Sequence, residues 1–380
     1  MNSPVTPARE PSRAGLYIHV PFCRSKCRYC DFYSVTSLEP VEQWLLGIGR
    51  EARYYQDRFD SFDTLYLGGG TPTLLAIHHL KLLLGLLRQY FRFTADAEIT
   101  VEANPDDITS DLLACLHDLG VNRISLGVQS FDDESLGLLG RRHSGRQAEE
   151  AFASIRKSGF NNVGMDLIYG LPGQSETAWL EQLAHAIRLN PEHLSCYQLT
   201  LSGETPLGRM LEDRLIQNLE EETERSFFLH TSQFLENQGY THYEVSNFAR
   251  RDSLRSRHNC KYWNHTPYLG LGPGAHSFDA RERWWNLRSL EAYCRSLADG
   301  APPLAGKEAL SEEQLHLETL FLGFRTRDGI PIEELDTGPF AREVRARLVA
   351  DGLLQLAHGR LSPTPAGMVV ADRLPLLFDQ

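Results

Sequence analysis

The chain has 380 residues, which is enough for two or three domains, or for one large barrel with an appendage. Hydrophobic residues make up 42% and charged residues 23%, so the composition is that of a globular protein and excludes a disordered or fibrous one. The 50 acidic and 38 basic residues give a net charge of −12. A surface of this sign does not attract phosphate backbones, and we expect no nucleic-acid partner.

The hydropathy pattern argues against a membrane protein. No run approaches the ~18 consecutive apolar residues that a membrane span needs. The first 15 residues contain no apolar segment of the kind found in secretory signals. Seven cysteines in such a chain are expected to be reduced thiols. The sequence therefore predicts a cytoplasmic protein that is not integral to a membrane.

Six runs of strand length alternate with stretches of helical periodicity. The predicted strands cover residues 16–20, 64–67, 98–101, 123–126, 162–168 and 194–199. The clearest helical patterns between them cover residues 41–59, 110–119 and 178–189. Gly120 follows the second helix where a helix usually stops, and Ser175 and Thr177 are candidate caps of the third. Near-continuous apolar strands separated by helices predict a parallel sheet, either an open doubly wound sheet or a barrel.

Polar residues or glycines stand at the end of each predicted strand. In chain order they are three cysteines, the segment 68–73, Glu102 with Asn104, Gly127 with Gln129, Asp166 with Gly170, and Thr200. In a barrel the carboxyl ends of parallel strands meet on one face, where active sites gather. We therefore expect these residues to form a single site.

Three cysteines lie within eight residues, as Cys23, Cys27 and Cys30 in the spacing CxxxCxxC. An odd number of thiols in a reducing compartment argues against disulfides. A structural zinc site needs four protein ligands, and only His19 or Asp31 is near enough in the sequence to complete one. An iron–sulfur cluster held by three thiolates leaves one iron open to a small molecule. The spacing favours the cluster, with zinc binding and plain packing as alternatives.

Gly68, Gly69 and Gly70 form a consecutive run that leads into Thr71. Such a run lets the backbone approach a ligand closely and leaves amide hydrogens free to bind it. It lacks the Lys and Ser/Thr of a nucleotide P-loop, and it is not GxGxxG. The alternative to ligand binding is an ordinary strand-to-helix turn.

Several of these segments together resemble the radical S-adenosylmethionine superfamily. In detail they resemble its branch of oxygen-independent coproporphyrinogen III oxidases and HemW heme chaperones, over about residues 15 to 380. The matching segments are YIHVPFC at 17–23, LGGGTPT at 67–73, SLGVQSF at 125–131, DLIYGLPG at 166–173, HNCKYW at 258–263 and GLGPG at 270–274. The resemblance implies a partial (β/α)6 TIM-like barrel, a [4Fe–4S] cluster and bound S-adenosylmethionine.

The resemblance also implies roles for individual residues. The three cysteines are the implied metal ligands, and the open iron is available to the amino and carboxylate groups of S-adenosylmethionine. The implied cofactor-binding residues are Tyr17, Tyr29, Gly69, Gly70, Thr71, Glu102, Gln129, Arg141, Asp166 and Thr200. A carboxylate such as Asp166 can accept both ribose hydroxyl protons, and Arg141 offers planar donors. An ordinary ion pair is the alternative for Glu102 with Arg141.

Two departures separate this chain from the oxidases. The oxidase resemblance calls for a fourth cysteine two positions after Cys30, where this chain has Phe32, and for a longer segment than the 22 residues before Cys23. The HNxxYW segment beginning at His258 resembles the chaperone signature instead. We therefore expect a chaperone that binds heme and passes it to acceptor proteins of unknown identity. The alternative is a radical enzyme acting on a porphyrin, so whether the chain is an enzyme stays open.

By the same chaperone resemblance, His258 is the predicted heme-associated residue. A neutral imidazole is a common axial ligand of heme iron, and neighbouring aromatic rings can pack on the porphyrin. Cys260 and His276 are fallback ligands. The alternative is a core histidine whose neighbours Tyr262 and Trp263 pack against the barrel.

The last quarter of the sequence predicts a separate α+β module. Helical patterns cover residues 311–324 and 340–351, a hairpin covers 356–361, and a final helix starts at Thr364. This order resembles a winged helix, often a DNA reader, but in so acidic a chain we expect a structural cap on the barrel. The predicted division is a disordered tail at 1–14, a radical S-adenosylmethionine barrel at 15–244, a connecting segment at 245–306 and a winged-helix-like domain at 307–380.

Overall fold

A computed structural model describes residues 13–335 and 338–378 of the chain. The strands are β1 (Ala14–Val20), β2 (Phe62–Gly69), β3 (Phe93–Ala103), β4 (Arg123–Gln129), β5 (Val163–Tyr169), β6 (His193–Gln198), β7 (Thr241–Glu244), β8 (Asn247–Ala249), β9 (Tyr268–Leu271), β10 (His276–Phe278), β11 (Glu282–Asn286), β12 (Leu304–Ala309), β13 (Ile330–Pro331), β14 (Leu354–Ala357) and β15 (Arg360–Pro363). The helices are α1 (Val41–Tyr55), α2 (Ile77–Tyr90), α3 (Ser110–Asp118), α4 (Asp133–Leu139), α5 (Gly145–Lys157), α6 (Glu176–Arg188), α7 (Pro206–Glu212), α8 (Glu221–Asn237), α9 (Arg257–Trp263), α10 (Leu290–Ala298), α11 (Glu312–Gly323), α12 (Pro339–Ala350) and α13 (Pro365–Met368).

The six strands β1 to β6 lie side by side in chain order, and each pairs with the next in parallel. Helices connect them, so the predicted partial (β/α)6 barrel is confirmed. At one edge, β9 pairs in parallel with β1 and is followed by β10, β11 and β12. At the other edge, β8 pairs antiparallel with β6 and is followed by β7. The result is one sheet of twelve strands.

Local sequence signals explain where the barrel helices begin and end. In α3 the side chain of Thr109 accepts a hydrogen bond from the amide of Leu112, and Gly120 follows the helix in the left-handed region at φ 76°. In α6 the side chain of Ser175 caps the helix by accepting from the amide of Ala178. Helix α1 ends at Tyr55, four residues before the predicted end, where the apolar periodicity gives way to charged residues.

Residues 245–306, predicted as a connecting segment, supply strands to both edges of the main sheet. They contain β8 at one edge and β9 to β12 at the other. Helix α9, which carries the HNxxYW sequence, packs against β1 and β2. Through α9 this segment contacts the first two strands near their amino ends, where His258 lies close to Gly15 and Thr64. Gly272, in the loop after β9, lies against His19 toward the carboxyl end of β1.

The C-terminal module contains the three-stranded sheet β13–β15–β14 and the helices α11 to α13. Its own apolar core includes Leu320, Phe324 and Leu348. The predicted hairpin is present as β14 and β15, but the helix capped by Thr364 has only four residues. An ion pair of 3.0 Å between Arg325 and Glu244 joins the module to β7. The module's predicted role as a cap stays a prediction.

The predicted tail at residues 1–14 lies outside the described residues except for its last two, and Ala14 is already part of β1. Within the described ranges, no helix combines the length and the apolar character needed to cross a bilayer.

Candidate cofactor site

A cavity of about 420 Å³ opens where the carboxyl ends of the parallel strands meet. The residues that the sequence predicted for a cluster and S-adenosylmethionine line it, apart from Tyr17. They are Cys23, Cys27, Tyr29, Cys30, Gly69, Gly70, Thr71, Glu102, Gln129, Arg141, Asp166 and Thr200. The fold therefore brings together side chains that are up to 177 positions apart, from Cys23 to Thr200. This is what the end-of-strand pattern predicts for parallel strands.

The three cysteines lie in the loop after β1 as half-buried free thiols. In the described part of the chain, the one group of three metal-binding side chains with all ligand atoms within 4.8 Å is Glu42, His78 and His79. The thiols are therefore spaced more widely than the ligands of one zinc ion, whose sulfurs at about 2.3 Å from the metal lie about 3.8 Å apart. Wider spacing fits a four-iron cluster, in which each thiolate bonds a different iron.

Hydrogen bonds tie the cysteine loop to the rest of the cavity. Thr71 Oγ1 donates to Cys23 Sγ at 3.6 Å, and Arg141 Nη1 donates to Cys27 Sγ at 3.5 Å. Burial raises the pKa of the Cys30 thiol to about 11. Because metal ligation requires the thiolate, metal binding at this loop releases protons.

The glycine run does not offer free amides, contrary to the prediction from the sequence. The amide of Gly69 donates to Glu102 Oε2 at 3.0 Å, that of Gly70 donates to the carbonyl of Val20 at 2.8 Å, and that of Thr71 donates to the carbonyl of Phe22 at 2.7 Å. A Cβ at Gly70 would lie 2.6 Å from the Phe22 oxygen. Glycine is needed here for close packing against the end of β1.

Two half-buried carboxylates, Glu102 and Asp166, face the cavity. Tyr66 Oη donates to Glu102 at 2.8 Å, and the Ser125 hydroxyl lies 3.2 Å from both oxygens of Asp166. Burial raises the pKa of Glu102 to about 7, and the nearby Asp166 adds to this rise while the Tyr66 hydrogen bond opposes it. Burial also raises the pKa of Asp166. Two carboxylates so placed favour a ligand with cationic groups or several donors.

Arg141 is half-buried, and in the described part of the chain it forms no ion pair with Glu102, so the ion-pair alternative does not hold. Its Nη2 donates to Asn104 Oδ1 and, at 2.8 Å, to the carbonyl of Gly127. Its Nε is buried and finds no hydrogen-bond partner among the described residues. Next to it, Gln129 has φ 64°, a strained conformation for a residue other than glycine. Such features are common where a protein is shaped for a ligand.

A second cavity of about 800 Å³ adjoins the first and shares Phe32, Tyr66, Glu102 and Tyr197 with it. Its other wall is formed by aromatic and imidazole side chains from β1, α9, β9, β10 and β11. They include Tyr17, His19, His258, Tyr262, Tyr268, His276 and Trp285. Tyr17 therefore lies in the second cavity and not, as predicted, around the first.

His258, the predicted heme-associated residue, lines the second cavity, but both of its ring nitrogens take part in hydrogen bonds. The side chain is 1% exposed, with Nδ1 at 2.8 Å from Thr64 Oγ1 and Nε2 at 2.9 Å from Tyr262 Oη. Burial lowers its pKa to about 3, so the ring is neutral. The fallback thiol of Cys260 is not among the residues that line this cavity. His258 forms part of the wall, but neither ring nitrogen is available.

The sequence reasoning missed Tyr66, Ser125 and Tyr197, which all face the first cavity. A signal existed for two of them. Tyr66 lies between Leu65 and Leu67, and Ser125 lies between two apolar residues in β4. Because side chains alternate along a strand, a polar residue flanked by buried ones points to the opposite face.

Comparison with known proteins agrees with this geometry. Residues 17–184 match the model of the radical SAM superfamily, and residues 310–370 match the HemN C-terminal domain. The solved structure of coproporphyrinogen III oxidase (HemN) from Escherichia coli is similar, with a TM-score of 0.81 and 25% identity over 98% of this chain and 92% of that one. A radical SAM domain implies a [4Fe–4S] cluster and S-adenosylmethionine, and the thiols and carboxylates of the first cavity fit both groups.

Two curated relatives are similar along much of their length. The heme chaperone HemW of Mycobacterium tuberculosis is 35% identical over 94% of this chain and 93% of the relative. The heme chaperone HemW of Escherichia coli is 39% identical over 69% of each chain. The chain, with its cysteine loop, polar first cavity and C-terminal module, therefore belongs to the HemW family of the radical SAM superfamily.

Proposed function

We propose that this protein is a heme chaperone, which binds heme beside an iron–sulfur cluster with exchangeable S-adenosylmethionine and passes the heme to acceptor proteins. The observation that carries the proposal is the second cavity. Its volume of about 800 Å³ is within the range of about 300–1,000 Å³ typical of small-molecule sites, and its walls are aromatic. Flat aromatic side chains suit a macrocycle, which buries a large apolar surface.

The first cavity would hold the cluster and S-adenosylmethionine. Cys23, Cys27 and Cys30 would bind the cluster, which when bound supplies an iron that is open to a small molecule. S-adenosylmethionine carries a sulfonium and an ammonium group, and the half-buried carboxylates of Glu102 and Asp166 suit such a cation. The partly unsatisfied guanidinium of Arg141 suits its carboxylate.

Replacing Asp166 or Arg141 with alanine is expected to weaken the binding of S-adenosylmethionine. Each change removes charge-assisted hydrogen bonds in a partly buried site, which costs ~1–3 kcal/mol, or roughly 5- to 150-fold in affinity. Calorimetry on cluster-loaded protein measures the change. Arg146→Ala, which removes an arginine side chain that is 83% exposed on α5, is the control. Unchanged affinity in the Asp166 and Arg141 variants would mean that both side chains are only structural.

A working coproporphyrinogen oxidase is the second candidate, favoured by the fold likeness to HemN. The residue that weighs against it is Phe32. Its side chain stands where the oxidase resemblance calls for cysteine, is 63% exposed, and lines both cavities. We infer a cytoplasmic location as well, because all seven cysteines are free thiols.

Heme titration followed by Soret absorbance tests the proposal. We expect the cluster-loaded protein to bind heme, and Ala305→Trp to weaken this binding, because Ala305 lines the second cavity and a bulky ring there would fill part of it. Ala309→Trp is the matched control, since Ala309 is exposed on the same strand but does not line the cavity. Failure of the wild type to bind heme would overturn the proposal, and equal binding by both variants would exclude the second cavity as the heme site.

A further inference from the structure

We propose that His276 is the residue that bonds heme iron in the second cavity. This inference rests on the proposed function and deepens it by assigning the axial ligand. The bond requires an imidazole that faces the cavity and has a ring nitrogen without a protein partner. One Fe–N bond forms as the ring nitrogen displaces a weakly held water from the iron, and no electron or proton is transferred.

Three histidines line the second cavity, and hydrogen bonding separates them. His19 is buried, with Nε2 at 2.9 Å from the carbonyl of Tyr33 and Nδ1 at 3.2 Å from Tyr17 Oη. Both ring nitrogens of His258 are also bonded, as described above. His276 has an exposed side chain, and within the described ranges its ring nitrogens take part in no hydrogen bond or ion pair, although the ring stacks on Trp285. Of the three histidines that line this cavity, His276 is therefore the one whose ring nitrogens are free to bind a metal.

The position of His276 on the sheet turns its ring toward the cavity. It begins β10 and lies directly opposite Trp285 of β11, so the two side chains are on the same face. Their rings stack with centroids 6.0 Å apart and an interplanar angle of 21°. The indole restricts the rotation of the imidazole and offers an apolar face beside it.

Arg288 supplies a partner for the carboxylates of the porphyrin. Its guanidinium lines the same cavity and donates to the carbonyl of Asp31 at 3.0 Å. Within the described residues it has no ion pair with a carboxylate, so most of its donors are free for one. A macrocycle bonded to His276 would thus have an indole beside its face and a guanidinium available to its acidic edge.

The test compares heme with metal-free protoporphyrin IX, because only heme can form the axial bond. For His276→Ala we expect heme affinity to fall by about tenfold or more, since even residues that only support metal ligands contribute 10–100-fold. The affinity for metal-free protoporphyrin should stay within about twofold of the wild type. His276→Cys should bind heme with a different Soret spectrum, because a sulfur replaces the nitrogen on the iron. His316→Ala, an exposed histidine on α11, is the matched control.

The outcomes separate this inference from the proposed function. Loss of heme affinity with retained protoporphyrin binding, together with a changed spectrum in His276→Cys, supports the axial bond. Wild-type heme spectra in both His276 variants would overturn the inference and leave the chaperone function intact. Equal loss of heme and protoporphyrin binding would also overturn it, because the side chain would then act by packing. Absence of binding by the wild type to either porphyrin would overturn the proposed function itself.

Discussion

Alanine in place of Cys23, Cys27 or Cys30 is expected to eliminate the iron–sulfur cluster. The three thiols are spaced too widely for one metal ion and suit three separate irons, so no neighbouring thiol can replace a missing one. Thr71 and Arg141 approach these sulfurs as hydrogen-bond donors and offer no thiolate in place of a missing one. Iron and acid-labile sulfide analysis of anaerobically purified variants measures the loss.

Cys294→Ala is the matched control for this experiment. Cys294 is also a half-buried free thiol, but it lies on α10 and does not line the first cavity. We expect this variant to retain the full content of iron and sulfide. A full cluster in any one of the three loop variants would contradict the assignment of that cysteine as a ligand.

Replacing Glu51 with alanine is expected to have the largest effect on stability. This buried carboxylate of α1 accepts hydrogen bonds from Tyr293 Oη at 2.6 Å, Asn286 Nδ2 at 2.6 Å and the amide of Gly272 at 2.9 Å. The variant leaves these buried donors without their acceptor and opens a cavity, which costs on the order of 3 kcal/mol in the free energy of unfolding. Denaturant unfolding measures it. Glu42→Ala on the exposed face of α1 is the control, with a change within about 0.5 kcal/mol.

The stabilising effect of Glu51 should also depend on pH. Burial raises its pKa to about 7 in the folded protein, above the ordinary value of 4.5. Between these values the folded state binds more protons than the unfolded state, so stability falls as pH rises through this window. Glu51→Gln cannot titrate. The free energy of unfolding of the wild type relative to this variant should therefore decrease from pH 5 to pH 8, and an increase would contradict the assignment.

The barrel could be predicted from the sequence because its strands are long, apolar and separated by helices with clear start and stop signals. The predicted strand boundaries were less accurate where polar residues extend a strand beyond its apolar run. For example, β3 begins at Phe93, five residues before the predicted start, because Phe93 pairs with Phe62 of β2. The strands β8 to β11 have three to five residues each. Runs this short carry too little periodicity to be recognised.

The residues predicted to bind the cofactors line the first cavity, apart from Tyr17, because parallel strands bring their carboxyl ends together. The second cavity could not be predicted in this way. Which of its imidazoles has a free ring nitrogen depends on contacts between residues that are remote in the sequence. Thr64 lies 194 positions from His258 and occupies its Nδ1. His258 and His276 differ in the availability of their ring nitrogens, because such a remote partner bonds to His258 and none bonds to His276 within the described residues. Similarly, the free amides expected in the glycine run are taken by the backbone of β1 and the loop that follows it, which local sequence does not reveal.

The central claim is that this protein carries heme and does not oxidise a porphyrin, and one measurement tests it most directly. The cluster-loaded protein is incubated anaerobically with coproporphyrinogen III, S-adenosylmethionine and a reductant, and the tetrapyrrole products are quantified over time. An oxygen-independent coproporphyrinogen oxidase serves as the positive control, and heme binding is measured on the same preparation. We predict that heme binds and that no protoporphyrinogen forms. Protoporphyrinogen accumulating over many turnovers would contradict the account.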